Sequence, residues 1–172
     1  MPIRIFNPLE RPSASDFNRY FMQQHSRVKS SDESVISSTT LQDDNHLFAP
    51  VDANTDYWVW CLIFYTGAAE PVDGDCKLNW DAPSGATFDW LSDSLGSATT
   101  GPVNIVSRNK QDIGSSPSAG TTGGNTAAPI KGLLRVGGTA GTLQLTWAQL
   151  ASTATPTTIY AGSTLLVRRL TS

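Results

Sequence analysis

The chain has 172 residues, a formal net charge of −3, 39% hydrophobic residues and only 16% charged ones. That length holds one sizeable domain with a real core. The scarcity of charge, made up by Ser, Thr, Gly, Ala and Asn, fits an all-β protein rich in turns, and no stretch approaches a membrane-spanning helix.

Charge is unevenly spread. Residues 1–29 carry Arg4, Arg11, Arg19, Arg27 and Lys29 against Glu10 and Asp16, a net of +3. The rest carries seven bases against thirteen acids, a net of −6. A basic arm on an acidic body implies that the arm docks on something acidic. Five bases scattered among Phe, Tyr and Met read as a protein contact more than a nucleic-acid one. The opening MPIRIFNPLERP has no apolar run and is broken by Pro2, Pro8 and Pro12, so no secretory leader is expected and assembly in the cytosol is.

In chain order, residues 1–12 read as an extended, proline-punctuated arm. In PSASDFNRYFMQQHSRVK, Ser13 and Asp16 make an acidic capping box, and Phe17, Tyr20, Phe21, Gln24 and Val28 recur at helical spacing. A short helix over about 14–26 is predicted. Its apolar stripe needs a partner, which is either the body of its own subunit or another chain.

SSDESVISSTT is a polar bridge. TTLQDDNHLFAPV predicts a strand, a turn around Asp43–Asn45 and a second short strand. Ala53–Asn54 turns the chain into YWVWCLIFY, nine apolar and aromatic residues from Tyr57 to Tyr65. That run is too short for a buried helix and predicts a central strand. CKLNWDAP and SGATFDWLS predict two more strands. GSSPSAGTTGGNTAAP (114–129) reads as a long loop with nothing to bury. PIKGLLRVGG, GTLQLTWAQL and YAGSTLLVRRL close the chain as strands. Some eight to ten short strands imply an all-β sandwich or jelly roll over 37–172, preceded by an anchoring arm over 1–36. No internal repeat is evident.

Cys61 and Cys76 would flank a hairpin about TGAAEPVDG. That register sets Cys76 opposite Phe64, so a disulfide is disfavoured and both are expected as small packing residues.

The closing strand has two competing parities: Leu166, Arg168 and Leu170 against Leu165, Val167 and Arg169. A strand apolar on both sides is buried on both sides. One side is the domain core, and the other calls for a second subunit, each buried side chain there adding roughly 1.5–3 kcal/mol. Leu166, Arg168 and Leu170 are the expected oligomer contact. The competing expectation is a strand inside a monomeric core with its arginines reaching out to water.

The strings PSASDFNRYFMQQ, TTLQDDNHLFAPVDANTDYWVWCLIFY, LNWDAPSGATFDW and GLLRVGGTAGTLQLTWAQLASTATPTTIYAGSTLLVRRL, in this order, resemble a family of virion surface proteins of tailed actinobacteriophages. Its members are head decoration or minor tail proteins. The last string also resembles the closing strands of trimeric tumour-necrosis-factor-like jelly rolls, whose C-terminal strand lies near the three-fold axis. The resemblance implies a non-enzymatic capsid decoration protein, a homotrimer held on the major capsid protein, or alternatively a minor tail or fibre protein that binds host-surface glycans. It brings no active site, cofactor or membrane anchor. The arm and helix would anchor through Phe6, Phe17, Tyr20 and Phe21, with Arg11 and Arg19 facing acids.

Other chemistry is sparse. Asp44 and His46 would converge on one strand face, with Asp43 on the other, which is too few ligands for zinc; turn chemistry explains the Asp–Asp–Asn run. His25 stands alone on the predicted helix. GGTAG (137–141) lies between strands and reads as a hairpin turn. Of Trp58, Trp60, Trp80, Trp90 and Trp147 most are expected in the core. Trp90, beside Asp89 and near Asp93, is the candidate exposed ring for a sugar, with the 114–129 loop as another receptor contact.

Overall fold

The computed structural model describes residues 24–68, 75–96 and 106–170, together with Glu10, Arg11 and Ser13. The strands are β1 (Gln24–Val28), β2 (Glu33–Val35), β3 (Gln42–Val51), β4 (Asp56–Thr66), β5 (Cys76–Asp81), β6 (Thr87–Ser92), β7 (Ser94–Leu95), β8 (Val106–Ser107), β9 (Ser118–Ala119), β10 (Thr126–Arg135), β11 (Gly141–Gln149), β12 (Thr157–Ile159) and β13 (Thr164–Arg169). No helix occurs among the described residues.

The strands form a β-sandwich. Sheet A runs β1-β13-β4-β10-β6, with β12 bonded to β4 and β2; sheet B runs β3-β11-β5-β9; β7 and β8 make a separate short ribbon. Every ladder is antiparallel. Four pairings nest inside one another along the chain: β1 with β13, β3 with β11, β4 with β10, and β5 with β9. Successive members of this nest alternate between the two sheets, so their connections arch from one layer to the other.

The core follows from strict alternation. In β4 the buried residues are Tyr57, Val59, Cys61, Ile63 and Tyr65, and the intervening ones face out. Leu165 and Val167 of β13 and Ala128, Ile130 and Leu134 of β10 continue that inner face. Leu47, Ala49, Val51, Leu143, Leu145, Trp147, Leu78 and Trp80 meet it from sheet B. Trp80 packs edge-on against Phe88 at 5.5 Å and Phe88 stacks on Trp90 at 6.4 Å, so the rings bridge the two layers. Gly132 is needed at the centre of β10. A Cβ there would sit 2.7 Å from the Asp89 carbonyl oxygen and run into the Phe88 ring. Asn54 takes the left-handed conformation (φ 52°) in the turn predicted at Ala53–Asn54, where its short polar side chain tolerates it.

Several expectations change. Of the helix predicted over 14–26, residues 24–26 lie in β1; the rest falls outside the described residues. Pairing with β13 overrides the helical spacing there. β1 and β2 both belong to sheet A, so the sandwich takes up residues 24–28 and 33–35 of the expected 1–36 arm. The stretch 114–129 is no bare loop: it contains β9 and the start of β10, with Ala119, Thr121 and Ala128 buried. The strands on either side of TGAAEPVDG, β4 and β5, and those on either side of GGTAG, β10 and β11, lie in opposite sheets, so neither pair forms the expected hairpin. Turn residues serve a hairpin and a crossing between sheets alike. The predicted break at Asp43–Asn45 becomes a bulge within one strand. Cys61 and Cys76 are free and buried in opposite sheets, and burial raises both thiol pKa values far above the usual range.

Candidate interaction surface

Side chains that alternate with the core of sheet A form its outer face. The registers set them in rows across the strands. One row reads Ser26, Leu166, Trp60, Lys131, Leu91, and the next Gln24, Arg168, Trp58, Leu133, Asp89. A third holds Val28, Thr164, Leu62 and Pro129, and Phe64 stands beside Ala127. Trp58 is 45% exposed, Trp60 48% and Phe64 38%. At about 150–250 Å² per aromatic side chain, these three present roughly 200–300 Å² of ring to solvent. Leu62, Leu91, Leu133 and Leu166 are half-buried between them.

A charged rim borders the β6 side. Asp89 accepts hydrogen bonds from Lys110 Nζ and Arg135 Nη1, both at 2.7 Å, and these hold its carboxyl at about 2. Lys110 also reaches Asp112 at 2.5 Å, which with Asp89 raises its own pKa. Asp93 takes Arg108 at 2.8 Å and Lys131 at 3.3 Å. A pocket of about 270 Å³ opens inside this rim, lined by Trp58, Leu91, Leu133, Asp89, Lys110 and Lys131 among others. On the β13 side Arg169 pairs with Asp52 at 3.1 Å. Arg168 is exposed and makes no ion pair among the described residues.

A second cluster lies at the sandwich edge, where β1 leads towards β2. Lys29 Nζ is fully buried and 2.8 Å from Oδ2 of the equally buried Asp44. The same nitrogen contacts Glu33 Oε2 and lies 3.4 Å from His46 Nδ1. Asp44 Oδ1 accepts the backbone N–H groups of His46 and Leu47, each at 2.9 Å. Glu33, Asp44 and His46 are close enough to share a metal ion, but the Lys29 ammonium holds the position a cation would take. Asp44 and His46 converge as expected, though by way of the bulge at 44–47 and not by regular alternation. Glu33 and Lys29 were missed, because only the fold brings 29 and 33 beside 44.

The predicted oligomer contact is split by exposure. Leu166 is half-buried beside Trp60, while Arg168 and Leu170 are exposed. Trp90 is not an exposed ring: it is 2% exposed, stacked on Phe88, with Nε1 donating to the Asp112 carbonyl at 3.4 Å. Its parity on β6 points it inward, with Phe88 and Ser92, so the flanking acids mislead. Trp58 and Trp60 are the exposed rings instead, and their alternation with five core residues of β4 is the signal that could have found them. Arg11 is exposed; Phe6, Phe17, Arg19, Tyr20 and Phe21 lie outside the described residues. His25 is exposed on β1.

No family model matches the chain, and no curated protein matches it. Solved structures of infectious bursal disease virus give slight likeness. The Gx strain aligns with 97% of the chain at 11% identity and a TM-score of 0.37, and the Gt strain with 99% at 10% and 0.24. The VP2 subviral particle of that virus aligns with 99% at 12% and 0.22. The chain spans 37%, 45% and 46% of the length of those three chains, and likeness this slight carries no functional conclusion.

Proposed function

We propose that this chain is a non-enzymatic structural protein of a virion, a capsid decoration protein that works as a homotrimer and docks on the shell through its N-terminal arm. The observation that carries an assembly role is the outer face of sheet A. Two tryptophans and a phenylalanine of β4 stand exposed among four half-buried leucines of β4, β6, β10 and the closing strand. Rings of this kind dominate binding energy once water is excluded from them. The roughly 200–300 Å² of exposed ring is a substantial part of the about 800 Å² that each side of a stable interface buries.

The nested pairing supports a jelly roll: one long antiparallel ribbon, folded so that its ends pair with each other and its middle strands pair innermost. Against an enzyme stands the neutralisation of the charged groups. Asp89, Asp93 and Asp112 are matched by four cations, and Asp44 is sealed under Lys29. Phe6, Phe17, Arg19, Tyr20 and Phe21 keep the anchoring role that the family resemblance gives them. A minor tail role with glycan contact has one observation in its favour, the pocket beside Trp58 with its charged lip. In that reading Trp58 replaces Trp90 as the stacking ring.

The test is sedimentation of the purified chain, followed by electron microscopy of particles assembled with it. A trimer, and a regular array on the shell, are expected. A compact monomer at the highest soluble concentration would overturn the oligomer, and density confined to the tail tip would move the protein to the adsorption apparatus.

A further inference from the structure

We propose that Lys29 and Asp44 become joined by an intramolecular isopeptide bond, made by the folded domain itself, with Glu33 carrying the proton. The inference is independent of the assembly reading.

The geometry supplies each group that amide formation needs. The nucleophile is the Lys29 nitrogen, held 2.8 Å from Asp44 Oδ2, with both side chains wholly removed from water. An ammonium cannot attack until it loses a proton, and Glu33 Oε2, in contact with that nitrogen, is placed to take it. The electrophile is the Asp44 carboxyl carbon. Its Oδ1 already receives two backbone N–H groups at 2.9 Å, from His46 and Leu47. These donors would stabilise the oxyanion of the tetrahedral intermediate.

The atoms balance. The Lys29 nitrogen bonds to Asp44 Cγ, and the Cγ–Oδ2 bond breaks. Of the three ammonium protons one stays on the amide nitrogen. The other two leave on Oδ2 as water, at least one of them by way of Glu33, which ends as it began. Nothing is oxidised or reduced.

The energetics favour the product at this place. A buried ion pair carries the desolvation cost of two charges, whereas the uncharged amide carries only the smaller cost of a polar group, offset by the hydrogen bonds its oxygen accepts. Reactants fixed in this manner behave as if at about 10⁵–10⁸ M, which offsets the reluctance of an amine and an acid to condense in water. The surroundings hold each participant still. The Lys29 N–H donates to the Ser163 carbonyl at 2.8 Å, and the Lys29 carbonyl accepts from the Gly162 N–H at 2.9 Å. The Asn45 backbone N–H and side-chain amide both donate to Glu33. The β3–β11 register slips between Gln144 and Thr146, so residues 44–47 bulge opposite Leu145 alone. That bulge aims the His46 and Leu47 amides at Asp44 Oδ1. The new bond would tie the end of β1, in sheet A, to β3, in sheet B, at the edge where the chain enters the sandwich.

The experiment is intact-mass measurement of the full chain in denaturant, with tryptic mapping. The expected mass is one water below that of the sequence. Trypsin should fail to cut after Lys29, leaving one peptide over 28–77 that is one water light, with fragments that place the link between Lys29 and Asp44. Glu33→Gln keeps both reacting groups and should restore the full mass and the cut after Lys29. Lys29→Arg should restore the full mass as well. A folded native chain of full mass, cut after Lys29, overturns the proposal. So does a water loss that maps to a succinimide at Asp73–Gly74, or one that survives unchanged in Lys29→Arg. Water loss at the Lys29–Asp44 pair that persists in Glu33→Gln would remove Glu33 from the mechanism.

Discussion

The two outer faces of the sandwich differ although the same alternation builds both. Sheet B turns Thr142, Gln144, Asn79, Lys77 and Asp81 outward, a surface that water satisfies. Sheet A turns out Trp58, Trp60, Leu62, Phe64, Leu133 and Leu166. Antiparallel sheets commonly wet one face, and here only sheet B has the face for it. The contrast separates residues that make the fold from residues that make a contact. Along β4 these two classes alternate residue by residue.

The sharpest way to probe that contrast is to alter neighbours on β4. Ile63→Ala, on the inner side, should lower unfolding stability by about 2–5 kcal/mol in a denaturant titration, because it leaves a cavity in a packed core. Trp58→Ser combined with Trp60→Ser, on the outer side, should leave the protomer folded and weaken the self-association proposed above in sedimentation, by roughly 2 kcal/mol or more per ring. If the double variant unfolds instead, the face belongs to the protomer's own architecture and the distinction collapses. Thr142→Asp on sheet B should change neither stability by more than about 0.5 kcal/mol nor the sedimentation profile. A small, pH-dependent effect is expected at the charged rim. Asp89 titrates at about 2 in the fold against an ordinary 3.8. Its stabilising contribution is therefore whole above the higher value and lost as pH falls through the lower one. Acid titration in low salt should show this fade, weakened by added salt and absent in Asp89→Asn.

Much of the sandwich was legible because burial of alternate residues writes a period of two into the sequence. Tyr57–Tyr65, GTLQLTWAQL and the closing strand all show it. The division of strands between sheets was not legible. An arch and a hairpin draw on the same turn residues, so nothing near 67–75 or 137–141 tells which is meant. The helical spacing around Phe17 to Val28 misled at its end, where an edge of β13 offers better hydrogen-bonding partners than an isolated turn of helix. On the interaction face, the two-sided character of the closing strand pointed to sheet A's outer surface through Leu166. The weight of that surface lies one strand over, on Trp58 and Trp60, which the alternation of β4 sets on one face together, opposite its five core residues. The Lys29 cluster was half visible in Asp44 and His46. Its other half needs the chain to return from β1 to β3, which no local pattern records.

The concentric pairing has a bearing on biosynthesis. Because the earliest of these strands lies against the last, and the last also lines one side of β4, the ribosome must deliver residue 169 before either partner is covered. Until then β1 and one flank of β4 are bare hydrogen-bonding edges on a nascent chain, open to capture by other polypeptides. A chain stopped at 163 should therefore accumulate as an aggregate or a chaperone client, and not as a slightly weakened version of the finished domain.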